Sequence, residues 1–119
     1  MLTDMRTEKF FVNGHELDVE IATSFLERLR GLMFRKNLDA GLGLLLAPCN
    51  SVHMGFMRFA IDVVYLDKDF RVKKIVQHLR PWIGFSACLK AWAALELASG
   101  EVNRLNLEVG QQFSTAREH

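Results

Sequence analysis

Hydrophobic and polar positions alternate most regularly between Lys9 and Ile21. Phe10, Val12, Leu17, Val19 and Ile21 fall on one face, and Glu16, Asp18 and Glu20 on the other. That two-residue period is the mark of a half-buried strand. Asn13-Gly14 interrupts it with the dipeptide that best tolerates two positive φ angles, as a two-residue hairpin turn requires. The turn pairs Val12 with His15 and Phe10 with Leu17, and the alternation sets the same register.

The period changes after Thr23. Ser24 followed by Glu27 forms a capping box, and Phe25, Leu26, Leu29, Leu32 and Met33 recur at helical spacing. A short helix is expected, fraying near Phe34, with Gly31 marking a place where something packs closely. Residues 35–41 read as a loop. Gly43 to Ala47 is an apolar run stopped by Pro48, suited to a strand buried on both faces.

Short strands are expected at Val52–Met57 and Ile61–Leu66, the second turning through Asp67–Phe70 into a return arm over Arg71–Leu79. In the Ile61 strand, Ile61, Val63 and Tyr65 share one side, while Asp62, Val64 and Leu66 share the other. A strand apolar on both faces belongs inside a sheet or barrel. Arg80–Cys88 has no clean period and contains Pro81 and Gly84, so it reads as a loop carrying aromatics. Trp92–Leu97 is a central strand with Glu96 as its odd member, free to pair with Arg28 or Arg30 or to face water. Val102, Leu105 and Val109 suit a helical turn closing a barrel end, and Gln111–Ser114 a last strand. The expected fold is mainly β, a compact single-domain barrel or sandwich with one short helix after an N-terminal hairpin.

Composition narrows this picture. The 119 residues are the size of one domain, read as a single unit over 1–119 with flexible ends at 1–8 and 115–119. Half the residues are apolar and a quarter charged, as in a soluble globular protein. A net charge of +1 gives no electrostatic case for nucleic acid or an anionic membrane as main partner. The cluster of Arg71, Lys73 and Lys74 reads as a solvated strand edge. The first nine residues lack an apolar signal-peptide core, and no run approaches the ~18 apolar residues of a membrane span. The expected location is therefore cytoplasmic, with Cys49 and Cys88 reduced.

An ordered set of short motifs carries a resemblance. Arg30-Gly31-Leu32-Met33, Gly43-Leu44-Leu45, Phe56-Met57-Arg58, Ile61-Asp62-Val63 and Leu66-Asp67 precede Glu96-Leu97-Ala98-Ser99-Gly100 and Gly110. In this order and spacing, over roughly Ala22 to Phe113, the chain resembles the bacterial and archaeal family known as domain of unknown function 192. The resemblance implies a compact, mainly β fold and no settled activity. Many relatives look exported, whereas this sequence shows no export signal. Ala60 stands where the family usually has proline, and Gln111 where an aspartate usually follows Gly110.

The stretch Cys49–Asp67 concentrates reactive side chains in an apolar run. Cys49, His53 and Met57 have the Cys-x3-His-x3-Met spacing of a copper ligand loop, with His15 as a distant fourth ligand. Against this, such loops lie near the C-terminal end of copper domains, whereas here more than half the chain follows. Alternatively, Asp62 or Asp67 orients His53 as a general base, with Cys49 or Ser51 as the nucleophile of an enzyme of unnamed hydrolytic type. No nucleophile motif frames that set. Structurally, Arg58 and Asp62 would form a buried or half-buried ion pair that fixes the strand crossing. The preferred reading is a ligand- or partner-binding or accessory module rather than an enzyme. Its site comprises His53, Met57, Arg58, Asp62 and Trp82, and it accepts a small anionic or polar ligand or a peptide. No cofactor or metal is assigned.

Overall fold

The first turn of the chain forms as its dipeptide dictates. Asn13 and Gly14 both adopt positive φ, 51° and 79°, joining β1 (Arg6–Val12) to β2 (His15–Ala22) with Phe10 opposite Leu17 and Val12 opposite His15. The computed structural model describes residues 6–33 and 35–116, apart from the side chain of Phe25; Phe34 and the rest of both termini lie outside the described residues. Regular structure extends into both segments expected to be flexible: β1 begins at Arg6, and Thr115 pairs with Phe10.

Ser24 caps α1 (Phe25–Arg30): its hydroxyl accepts from the Glu27 N–H, and the Glu27 carboxylate accepts from the Ser24 N–H. The helix is shorter than its apolar spacing suggested. Gly31, at φ 47°, ends it, so Leu32 enters the core from a turn rather than from a helix face. The chain returns as β3 (Leu42–Leu46), which runs parallel to β2 and antiparallel to a later strand, β8 (Ala93–Ala98). A parallel neighbour cannot be reached by a tight turn, which is why residues 23–41 cross one face of the sheet.

β5 (Ile61–Leu66) is buried at every position and lies between β8 and β6 (Val72–Leu79). With α2 (Glu101–Arg104) and β9 (Ser114–Thr115), the seven-stranded sheet has the order β6-β5-β8-β3-β2-β1-β9 and curls as a half-barrel. This is the mainly β single unit the sequence predicts. No described helix is long and apolar enough to cross a membrane.

Two short strands form a separate sheet. β4 (Ser51–His53) ends earlier than expected, because Met54–Met57 folds into a turn closed by the Met57 N–H on the Met54 carbonyl. Its partner β7 (Phe85–Ala87) lies inside the segment read as a loop; three residues are too few to display a period. The Tyr65 hydroxyl, 2.6 Å from Ser86 Oγ, joins β5 to this small sheet, and burial pushes its pKa up to about 12.

Alternation splits the core in two. Phe10, Leu17, Val64, Leu95, Leu97, Val102, Leu105 and Phe113 pack on one face of the large sheet, with Trp92 half-buried against them. Leu32, Leu44, Leu46, Val63 and Tyr65 pack on the other, beneath α1 and the small sheet, with Val52, Met54 and Met57. Val109, expected to help close the barrel end, is exposed.

Candidate functional site

The residues expected to form one site divide between those two faces. Asp62 shares a side of β5 with Val64 and Leu66, as the alternation predicts, and is 1% exposed. Its carboxylate is taken up by backbone. Oδ1 accepts from the His78 N–H at 2.9 Å, and Oδ2 accepts from the Gly100 and Val102 N–H groups at 3.0 Å each. A register shift between β5 and β6 next to Asp62, with His78 at φ 54°, accompanies the first of these bonds. The other two satisfy the start of α2, whose terminal N–H groups have no partner within the helix.

Two expectations are thereby corrected. Arg58 is exposed and makes no ion pair with Asp62, and His53, out on β4, has no carboxylate partner in Asp62. The physical reason is the two-residue period of β5: Ile61 and Val63 face β4, so Asp62 cannot. Trp82 also departs from the expected site. It is 60% exposed and packs edge-on against Phe56 at 5.4 Å.

His53 and Met57 do come together, around a recess of ≈ 60 Å³ between α1 and the start of the small sheet. Arg28, Arg30 and Cys49 also line it, over a floor that includes Leu32, Leu46 and Val52. The remaining polar member is Glu96. It stands in the middle of β8, beside Leu44 of β3 and Val63 of β5, and is 4% exposed. Its Oε1 has no hydrogen-bond partner among the described residues. The expected partners, Arg28 or Arg30 or open water, are not what it has. Burial pushes its pKa up to about 7, opposed by the Arg35 guanidinium, which pairs at 3.0 Å with Glu20, two strands away. The close packing expected at Gly31 is against this carboxyl: a β-carbon there would sit 3.7 Å from Glu96 Oε1.

Rim groups are fixed to different degrees. Arg28 donates through Nε to the Thr23 carbonyl and through Nη1 to the Pro48 carbonyl, which pins the helix to the strand loop. Arg30 is exposed. His53 Nδ1 accepts from the Gly55 N–H at 3.3 Å. Cys49 Sγ donates to the Ser51 carbonyl at 3.0 Å, and burial raises its pKa, so it carries little of the thiolate a nucleophile needs. Cys49, His53 and Met57 therefore share one recess, yet no group of three His, Cys, Asp or Glu side chains among the described residues is placed to hold a metal ion.

Chemically, the recess offers a carboxyl that is protonated below about pH 7, with Arg28 and Arg30 among the residues that line it. A neutral carboxyl donates one hydrogen bond and accepts another. The sequence marks Glu96 as the odd member of an apolar central strand, but that signal suggests an ion pair or a solvent-facing group rather than part of the site.

Comparison with known proteins bears on the fold and the family. The chain is 41% identical over 101 residues to UPF0127 protein PH1112 of Pyrococcus horikoshii, covering 82% of this chain and 87% of that protein. It is 33% identical over 109 residues to UPF0127 protein PF1050 of Pyrococcus furiosus, covering 87% and 93%. A UPF0127 protein of Thermococcus sibiricus is 34% identical over 99 residues; the match takes in 80% of this chain and 64% of that longer protein. Two crystal structures share the fold. One, of a Sinorhizobium meliloti 1021 protein described as a candidate transcription regulator, superposes with a TM-score of 0.88 over 98% of both chains at 21% identity. The other, a protein of unknown function from Novosphingobium aromaticivorans DSM 12444, gives 0.78 over 92% of this chain and 84% of that one at 24% identity. At these identities the likeness is one of fold. The profile of the DUF192 family, described as uncharacterized ACR, matches residues 8–115, and the chain belongs to that family.

Proposed function

We propose that the protein is a small-ligand-binding module whose site is the recess over Glu96, and that its ligand presents a carboxylate-sized anionic or strongly polar group. Support comes chiefly from the Glu96 carboxyl, buried without a partner for Oε1 and facing the recess. An unsatisfied buried polar atom is costly, and a ligand oxygen accepting the Glu96 proton relieves that cost. His53 and Met57, expected to bind ligand, keep that role, His53 exposed and Met57 buried in the lining. Arg58, Asp62 and Trp82 give way to Arg28, Arg30 and Glu96. The two arginines favour an anion over an amine. The recess holds about two waters' volume, so it takes the head of a ligand rather than a whole one.

Titration calorimetry with acetate, glycolate and inorganic phosphate at pH 6 and pH 8 tests this reading. A carboxylate is expected to bind at pH 6 and to weaken as pH rises through about 7, where Glu96 loses the proton it donates. Glu96→Leu, which removes the donor and keeps the bulk, abolishes the binding, and Arg30→Ala weakens it. Heat signals that are the same in wild type and Glu96→Leu would falsify the assignment.

A further inference from the structure

We propose that the turn joining β6 to β7, together with Phe56, docks on the surface of an anionic lipid bilayer. This inference is independent of the recess. Four of the nine large apolar side chains exposed among the described residues lie here: Trp82 (60%) and Ile83 (76%) on the turn, Phe85 (67%) at the first position of β7, and Phe56 packed against Trp82. Phe56 and Trp82 both hold positive φ, 63° and 71°, a conformation that bulky residues seldom adopt. The backbone is thus held in an uncommon state with both rings on the outside.

Three observations favour a bilayer as the occupant. The first is charge. Residues 47–61 and 79–95 contain no Asp or Glu, while Arg58 and Arg80, two residues along the chain from Phe56 and from Trp82 respectively, are exposed. The near-neutral total of +1 averages over acids placed elsewhere, so it conceals this local excess. Exposed aromatic and aliphatic tips flanked by arginines are the combination that lies at a headgroup boundary over anionic lipid.

The second is the backbone of the turn. Trp82 N–H donates to the Met54 carbonyl, Ile83 N–H to Pro81 and Gly84 N–H to Arg80, while Pro81 has no N–H. The donors at the tip are therefore already satisfied, which an apolar medium demands. The third is rigidity. A β-carbon on Gly84 would lie 2.6 Å from the Arg80 carbonyl oxygen and 2.9 Å from both Leu79 and Met54, so the turn is packed against the body of the protein. A stiff, protruding apolar tip enters a fluid surface with little loss of conformational freedom.

Co-sedimentation of the full chain with vesicles of phosphatidylcholine alone, and of phosphatidylcholine mixed with phosphatidylserine, tests the proposal. Binding is expected to the mixed vesicles only. It should fall at least tenfold in Ile83→Asp and in the Arg58→Glu, Arg80→Glu pair, with thermal unfolding unchanged in each. Absence of binding to mixed vesicles at millimolar lipid overturns the proposal, as does binding that Ile83→Asp leaves intact. Concentration-dependent dimers that Ile83→Asp dissolves, without vesicle binding, overturn it in favour of a second copy of the chain.

Discussion

Asp62 and Glu96 are both buried carboxyl groups, on neighbouring strands and one register position apart. Their surroundings are opposite. Asp62 accepts three backbone N–H groups and ties β6, the Ser99–Gly100 turn and α2 to β5. Glu96 is buried with Oε1 unpartnered, over a recess. One carboxylate is a construction joint; the other reduces stability and offers chemistry in exchange. On the proposed reading, a buried carboxylate marks a site only when its hydrogen-bonding capacity remains open.

Removing the joint should have the largest effect. Asp62→Ala leaves the His78, Gly100 and Val102 N–H donors without their acceptor at a buried turn, and unfolding in urea should show a loss of about 3–5 kcal/mol. A loss below about 1 kcal/mol would mean that the three bonds are not what holds the turn. Glu96→Gln should act in the other direction. The Glu96 pKa is raised in the fold from 4.5 to about 7, so the folded state keeps a proton that the unfolded chain releases. The stability cost is absent below about pH 4.5, grows as pH rises, and is complete above about pH 7. At pH 8 the glutamine variant should therefore be more stable by roughly 2–3 kcal/mol, with little difference at pH 4.5. Parallel stability curves for the two proteins across that window would dismiss the comparison.

The smallest effect tests the wall of the recess. Ser24→Ala removes one half of the capping box and should lower stability by about 1 kcal/mol. If α1 positions Arg28 and Arg30 for the ligand, carboxylate affinity should fall further than global stability alone explains. Unchanged affinity would place the binding groups elsewhere on the rim.

What could be read from the sequence follows from how local each signal is. The Asn13-Gly14 hairpin and its register, the Ser24–Glu27 cap and the sidedness of Asp62 rest on neighbours within a few residues, and the structure has all three. β7 escaped because three residues flanked by a glycine and an unsettled loop show no alternation. The turn at Met54–Met57 was hidden among strand-forming residues, and it ends the strand expected over Val52–Met57 at His53. His53 and Met57 meet at the recess all the same, through tertiary packing. The solitude of Glu96 is a tertiary fact too: whether Arg28 or Arg30 reaches it depends on where α1 ends, and Gly31 ends it early.

The parallel pairing of β2 with β3 has a wider consequence. It obliges the chain to spend residues 23–41 crossing the sheet, and the crossing passes over the row that holds Glu20, Leu44 and Glu96. Relatives can therefore lengthen, shorten or rewrite that crossing without disturbing a ladder of hydrogen bonds. On the proposed ligand-binding reading, differences in what family members recognise should be sought in residues 23–41 first, because the strands are held by their ladders and the crossover is not.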